Sequence, residues 1–306
     1  MEKERVEGAV IEEPEEVPQS TWVLVGQFFV VPVVIVALCV GIFVLFGLIT
    51  GDARNARDYL EEVRAGKGNR RWQAAFELSK YLNQKGTKDR EPRLAQDISS
   101  AFRKAKDDDP RVRQYLALAM GTLRDGVAVE PLVEAFDDIS PEVRLYAVWA
   151  LGEIRDGRAV EPLLKVVETS DHDLRKMTIY SLGLIQDPRA LPSLQAALND
   201  NHQDVRWNAA LALARFHDAS GVEILHQMLD RKSLNASAEI NEQQKSDAII
   251  NAARAVALLK DSAARPLLEE LKANDPDLKV RSAAIEALKE IDAAGGSDPR
   301  KKVGSP

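Results

Sequence analysis

The chain has 306 residues, of which 45% are hydrophobic and only 6% aromatic, with one cysteine and a net charge of −7. A single cysteine, Cys39, excludes a disulfide framework and a cysteine-ligated metal centre. Most of the negative charge precedes Trp22, and the nearly balanced remainder offers no basic footprint for nucleic acid.

Residues 1–20 hold Glu2, Glu4, Glu7, Glu12, Glu13, Glu15 and Glu16 against Lys3 and Arg5, and read as an acidic, disordered tail. Residues 21–50 follow as an expected transmembrane helix. No charged residue occurs between Glu16 and Asp52, and the apolar run from Trp22 to Ile49 exceeds the roughly 20 residues a bilayer core requires. A cleaved secretory signal fits poorly, because the preceding segment is acidic and the apolar run is too long. Arg54, Arg57, Arg64, Lys67, Arg70 and Arg71 crowd the C-terminal flank. The positive-inside rule then predicts a single-pass protein with its main domain in the cytoplasm and its N-terminus outside.

A 31-residue period governs the rest of the chain. Val112-Arg113, Val143-Arg144, Leu174-Arg175 and Val205-Arg206 recur at that step, as do Asp125, Asp156, Asp187 and Asp218. Gly121, Gly152 and Gly183 keep the same step, with Ala214 in the fourth copy. Each unit predicts a short helix, clearest at 159–168, and a longer one, clearest at 141–154. Proline in the first turn and a preceding Asp or Ser suit a helix start, while Asp-Gly or Asp-Pro marks the turn between units. The recurring aspartate reads as a turn and cap residue rather than a general acid. Residues 69–82, 247–260 and 278–291 match the long helix as well, although Ile249 stands where arginine is expected. About seven helix pairs therefore span residues 51–292, interrupted near 83–91 and by a polar insertion at 231–246. Residues 293–306 read as a disordered tail.

At this repeat length, with the Asp, Val-Arg, Leu-Gly and Ile-Asp pattern quoted above, residues 52–292 resemble the HEAT-repeat family, and specifically the short HEAT-like repeats of phycobilin lyase subunits. The resemblance implies an all-α, armadillo-like superhelix in which stacked pairs share one continuous core. It also implies that Arg113, Arg144, Arg175 and Arg206, with Arg71 and Arg281, form a structural ladder with acidic residues between repeats. The second helix of each pair would line the inner curve.

Helical phase adds a candidate site. Counted from the arginine, apolar positions −1, +3, +4, +6, +7 and +10 share one arc, while +5 points away from its centre. Yet +5 holds Phe76, Leu118, Trp149, Tyr180 and Leu211, and +2 adds Tyr115, Tyr146 and Met177. These eight are the expected partner-binding residues of a concave groove. The stripe ends at Arg254 and Glu286. Catalysis is not expected: His172, His202, His217 and His226 read as surface loop residues, and none is followed by Glu as in the di-iron HEAT-like hydroxylases. No cofactor, metal or nucleic acid is expected. The reading is a membrane-anchored scaffold that binds a partner protein. The alternatives are a bilin lyase-like protein acting on a tetrapyrrole–protein pair and an assembly factor for a membrane complex.

Overall fold

A computed structural model describes residues 26–50, 54–85, 93–235 and 240–295. All regular structure among them is helical. The chain divides into two units, Met1–Arg54 and Asn55–Pro306. The expected acidic tail at 1–20 and the C-terminal tail from residue 296 lie outside the described residues.

In the first unit a π-helical turn, Gly26–Val30, runs into α1, Val31–Thr50. Pro32 lies where the π-helical turn passes into α1. Side chains from Phe29 to Leu45 are all exposed, including Phe43 at 81%. Among the described residues no helix is long and apolar enough to cross a membrane. The span expected over 21–50 is therefore not recovered. The side chains described run only from Phe29 to Leu45, short of the roughly 20 that a crossing needs, and residues 21–25 lie outside the described residues.

The second unit is built from helix pairs. They are α2 Ala56–Ala65 with α3 Asn69–Lys85, α4 Leu94–Lys104 with α5 Pro110–Leu123, and α6 Val129–Glu134 with α7 Pro141–Ile154. Next come α8 Val160–Val166 with α9 His172–Ile185, and α10 Leu191–Ala197 with α11 Gln203–Arg215. In the sixth pair, α12 Val222–Leu229 and the short α13 Arg231–Asn235 precede α14 Glu242–Leu258. The last is α15 Arg265–Asn274 with α16 Leu278–Gly295. Each short helix packs on its own long helix, and the long helices α3, α5, α7, α9, α11, α14 and α16 pack in succession. The insertion at 231–246 is thus partly helical: it holds α13 and the first turn of α14, which a capping box between Asn241 and Gln244 starts.

Local chemistry sets these boundaries. Ser140 accepts from the Val143 N–H and Pro141 opens α7; Asp171 accepts from the Leu174 N–H at the start of α9. Within two residues of their ends, α5, α7, α9, α11 and α14 meet a left-handed residue, Arg124, Arg155, Gln186, His217 or Lys260, with φ between 53° and 59°. Glycine is the usual occupant of that position, because a Cβ there is strained. The recurring aspartate comes next. Asp125, Asp156, Asp187, Asp218 and Asp261 each accept from a backbone N–H two residues on, opening a one-turn 3-10 helix. They are caps.

The core consists of aliphatic residues from both helix rows, among them Leu78, Leu116, Leu132, Leu151, Leu163, Ile179 and Leu213, all fully buried. Each such side chain contributes about 2 kcal/mol of burial. The core has two clusters that meet at α11: Ala209, Ala212 and Leu213 belong to the first, Ala210 and Ala214 to the second. The recurring glycines let consecutive long helices approach. A Cβ on Gly121 would lie 2.7 Å from the Trp149 ring, and one on Gly152 would lie 2.8 Å from the Ser181 Cα.

Candidate functional site

The arginine that opens each long helix lies at the edge where short and long helices join. Arg71 Nη1 donates to Asp108 at 2.6 Å, Arg113 pairs with Asp138, and Arg175 grips both oxygens of Asp200 at 2.9 and 3.1 Å. These contacts link one pair to the next. Burial pulls the Arg113 guanidinium below its ordinary value, and its plane lies over the Phe102 ring at 4.4 Å. The step along the chain from Arg113 to Asp138 equals that from Arg175 to Asp200. The same step from Arg144 reaches Thr169, and Arg144 instead donates to the Asp138 carbonyl at 2.7 Å. From Arg206 the step reaches Arg231, and Arg206 likewise turns to the Asp200 carbonyl.

Ile249 leaves a vacancy in this series, and the structure fills it from elsewhere. Arg231, in the insertion, donates to both oxygens of Asp275 at 2.8 Å and to Ser246 at 3.3 Å. The Asp275 side chain has no exposed surface. That hydrogen bonding raises the Arg231 pKa above its ordinary value. A second series runs along the 3-10 turns: Arg158 donates to the Gly126 carbonyl at 2.7 Å and Arg189 to the Gly157 carbonyl at 2.9 Å. Sequence reasoning missed this one. Its only signal was arginine two residues after the cap in two successive units.

The expected groove residues lie on the row of long helices, neither fully buried nor fully exposed. Phe76 is 39% exposed, and Tyr115, Leu118, Tyr146, Trp149, Met177, Tyr180 and Leu211 are half-buried. The close helix spacing explains this, since Tyr115 and Trp149 lean on the preceding long helix. Phe76 and Tyr115 meet edge to face at 5.2 Å, and Trp149 covers Gly121. Tyr115, Tyr146, Trp149 and Met177 also touch the core from its outer side. Half of each ring is therefore anchored and half presented, the condition of a preorganised contact surface.

Where this row passes from α9 to α14 its character changes. Tyr180, Asn208, Leu211, Arg215, Asn251, Arg254 and Leu258 line a pocket of about 430 Å³. The Arg215 guanidinium stacks on Tyr180, 5.7 Å from the ring centre. Burial pulls its pKa down, opposed by Tyr180 and reinforced by the nearby charge of Arg155. It stays a cation, as guanidinium does in proteins.

Two of the four histidines, His202 and His217, are exposed residues outside the helices, as expected, and two are helical. His172 opens α9 and stacks on His202 at 4.4 Å. His226 lies within α12 with Nε2 2.5 Å from Asp261, while His217 is an exposed left-handed residue. His172, Asp173 and Asp204 bring potential ligand atoms within 4.8 Å of one another. Lys176 already occupies that position, 2.7 Å from Asp173 and 2.9 Å from Asp204. Burial opposes its charge, yet those two bonds prevail and its pKa is raised.

Comparisons agree with this architecture. A family model for HEAT repeats matches residues 98–182, 129–213 and 160–241, so this stretch carries HEAT repeats. No curated protein matches the sequence. Among solved structures, the complex of CpcE and CpcF of phycocyanin lyase from Nostoc is 19% identical with a TM-score of 0.53, over 79% of this chain and 96% of that one. Human deoxyhypusine hydroxylase is 18% identical with a TM-score of 0.33, over 78% and 96%. A computationally designed armadillo repeat protein for modular peptide recognition is 18% identical with a TM-score of 0.39, over 77% and 99%. At these identities the first likeness shows the fold alone, and the other two add nothing to it.

Proposed function

We propose that this HEAT-repeat chain is a scaffold that binds a partner protein along its long-helix row, and that residues 22–49 tether it to a membrane. The row would be the concave groove of the solenoid, contacting the partner through Phe76, Tyr115, Leu118, Tyr146, Trp149, Met177, Tyr180 and Leu211. One observation carries the reading: half-presented aromatic and aliphatic side chains recur on successive long helices, held in place from beneath. Large rigid side chains of this kind lose little entropy on binding and dominate contact energies. The tether is supported by the uncharged stretch from Val17 to Gly51 and by the exposed apolar side chains of α1.

Affinity capture from mild detergent, with the wild type beside a Trp149→Ala, Tyr180→Ala double variant, tests the scaffold. The variant should keep its helical circular dichroism and lose the captured partner; equal capture by both would remove the groove from the mechanism. Alkaline washing of membranes tests the tether, which is wrong if the full chain is released. A bilin lyase-like role is the second reading. It rests on the fold shared with phycocyanin lyase, and co-expression with a bilin and acceptor protein would support it through a new visible absorbance band.

A further inference from the structure

Most arginines in this solenoid are committed to acids or carbonyls. Arg71, Arg113, Arg175 and Arg231 pair with acids at the ladder edge, and Arg103, Arg158 and Arg189 hold carboxylates along the short-helix side. Arg215 and Arg254, unlike these, face one pocket. Among the described residues neither guanidinium has an ion pair or a side-chain hydrogen bond, and both line the pocket at the C-terminal end of the aromatic row.

The missing counter-charge has a local cause. Arg124, the left-handed residue ending α5, donates to Glu153 on α7 at 2.6 Å, 29 residues on. The equivalent step from Arg155, at the end of α7, reaches Leu184. The acid that neutralises this surface between α5 and α7 is therefore absent between α7 and α9. One step further, Gln186 spends its amide on the Arg215 carbonyl at 2.7 Å and supplies no charge. Arg215 and Arg254 thus share a pocket lined by no carboxylate, and the charge of Arg155 acts on Arg215 as well. The half-buried Arg215 has given up part of its hydration with a tyrosine ring but no acid as partner, an arrangement that a ligand anion would complete. Asn251 adds an amide at the rim, Asn208 Nδ2 donates to the Asp204 carbonyl at 2.8 Å, and Leu211 and Leu258 give the pocket an apolar wall.

We infer that this pocket receives an anionic side chain, carboxylate or phosphate, from a peptide segment of the partner, held by Arg215 and Arg254. This deepens the scaffold reading and rests on it: the aromatic row supplies contact area and the arginines fix the register. A free anion would gain little beyond the two charges, whereas a peptide extends along the contiguous row from Tyr180 towards Trp149. Guanidinium favours carboxylate and phosphate alike through paired N–H donors.

The test uses the full-length chain in detergent and fluorescein-labelled peptides read by anisotropy: hexaglutamate, a peptide of alternating phosphoserine and glycine, and hexalysine. Hexaglutamate or the phosphoserine peptide should bind, more weakly at high salt, and hexalysine should not; whichever anionic peptide binds identifies the group. Arg215→Gln with Arg254→Gln should weaken that binding by about tenfold or more. Arg254→Glu, at an exposed position that leaves folding alone, should do the same. Unchanged binding in both variants, or equal binding of hexalysine, would overturn the inference. Trp149→Ala, read by partner capture, and the arginine variants, read by peptide anisotropy, separate the two readings. If Trp149→Ala loses the partner and the arginine variants bind hexaglutamate as the wild type does, only the pocket is wrong. If the arginine variants lose hexaglutamate and Trp149→Ala keeps the partner, only the groove is.

Discussion

Arg215 and Arg231 come from adjacent helix pairs and stand in opposite circumstances. Arg231, at the edge where helices of a pair join, completes a fully buried aspartate with two short bonds. Arg215, on the row of long helices, rests on a tyrosine ring and meets no acid among the described residues. The edge spends its charges on joining one unit to the next; the row keeps its charges open. The same residue type is thus scaffold on one side and binding surface on the other, and its acceptors decide which.

Removing one arginine from each region should separate them. Arg231→Ala strands a buried carboxylate and should cost about 3 kcal/mol in denaturant unfolding, whereas Arg215→Ala should stay within about 0.5 kcal/mol, since it removes no pair. Equal losses would erase the distinction. Acid sharpens it more gently. The Arg189 side chain, with its backbone N–H, holds the Asp187 carboxyl down at about 2 against an ordinary 3.8. A depressed carboxylate stabilises the fold fully above its ordinary value and loses that contribution as pH falls towards its folded one. The stability gap between wild type and Asp187→Asn should therefore be widest near neutrality and close between pH 4 and pH 2. The row, whose guanidinium groups stay charged throughout, should show no such closing for Arg254→Gln. The smallest effect runs the other way. Lys260→Gly at φ 56° relieves a left-handed residue and should raise stability by about 0.5 kcal/mol, relief of strain exceeding the entropy glycine adds to the unfolded chain.

Much of the architecture was legible because it is local. Seven helix pairs, the aspartate caps and the proline starts all follow from neighbours within a few positions, repeated often enough to be read from period alone. The eight row residues were legible from phase, but their half-burial was not. Burial at +5 depends on how closely the next helix approaches, and glycine at 121 and 152 controls that from another helix. Arg231 was illegible for a different reason. The periodic slot at 249 holds isoleucine, and the substitute comes from an interruption of the period to meet an acid 44 residues away. Arg215 was overlooked because arginine occurs at its position only in that unit, and its meaning comes from carboxylates that neighbouring units lack. His172 and His202 come from successive units, and nothing short of the stacked helices puts their rings face to face.

The junction of the two hydrophobic clusters at α11 carries a mechanical consequence. One helix turns Ala209 and Leu213 to the preceding units and Ala210 and Ala214 to the following ones, so it is a party wall between two blocks that need not melt together. In a linear array the weakest seam sets where the stack opens first. Here the seam adjoins the arginine pocket, so a peptide seated across Tyr180 and Arg254 would act as a clasp, and occupancy would be felt as cooperativity between the blocks.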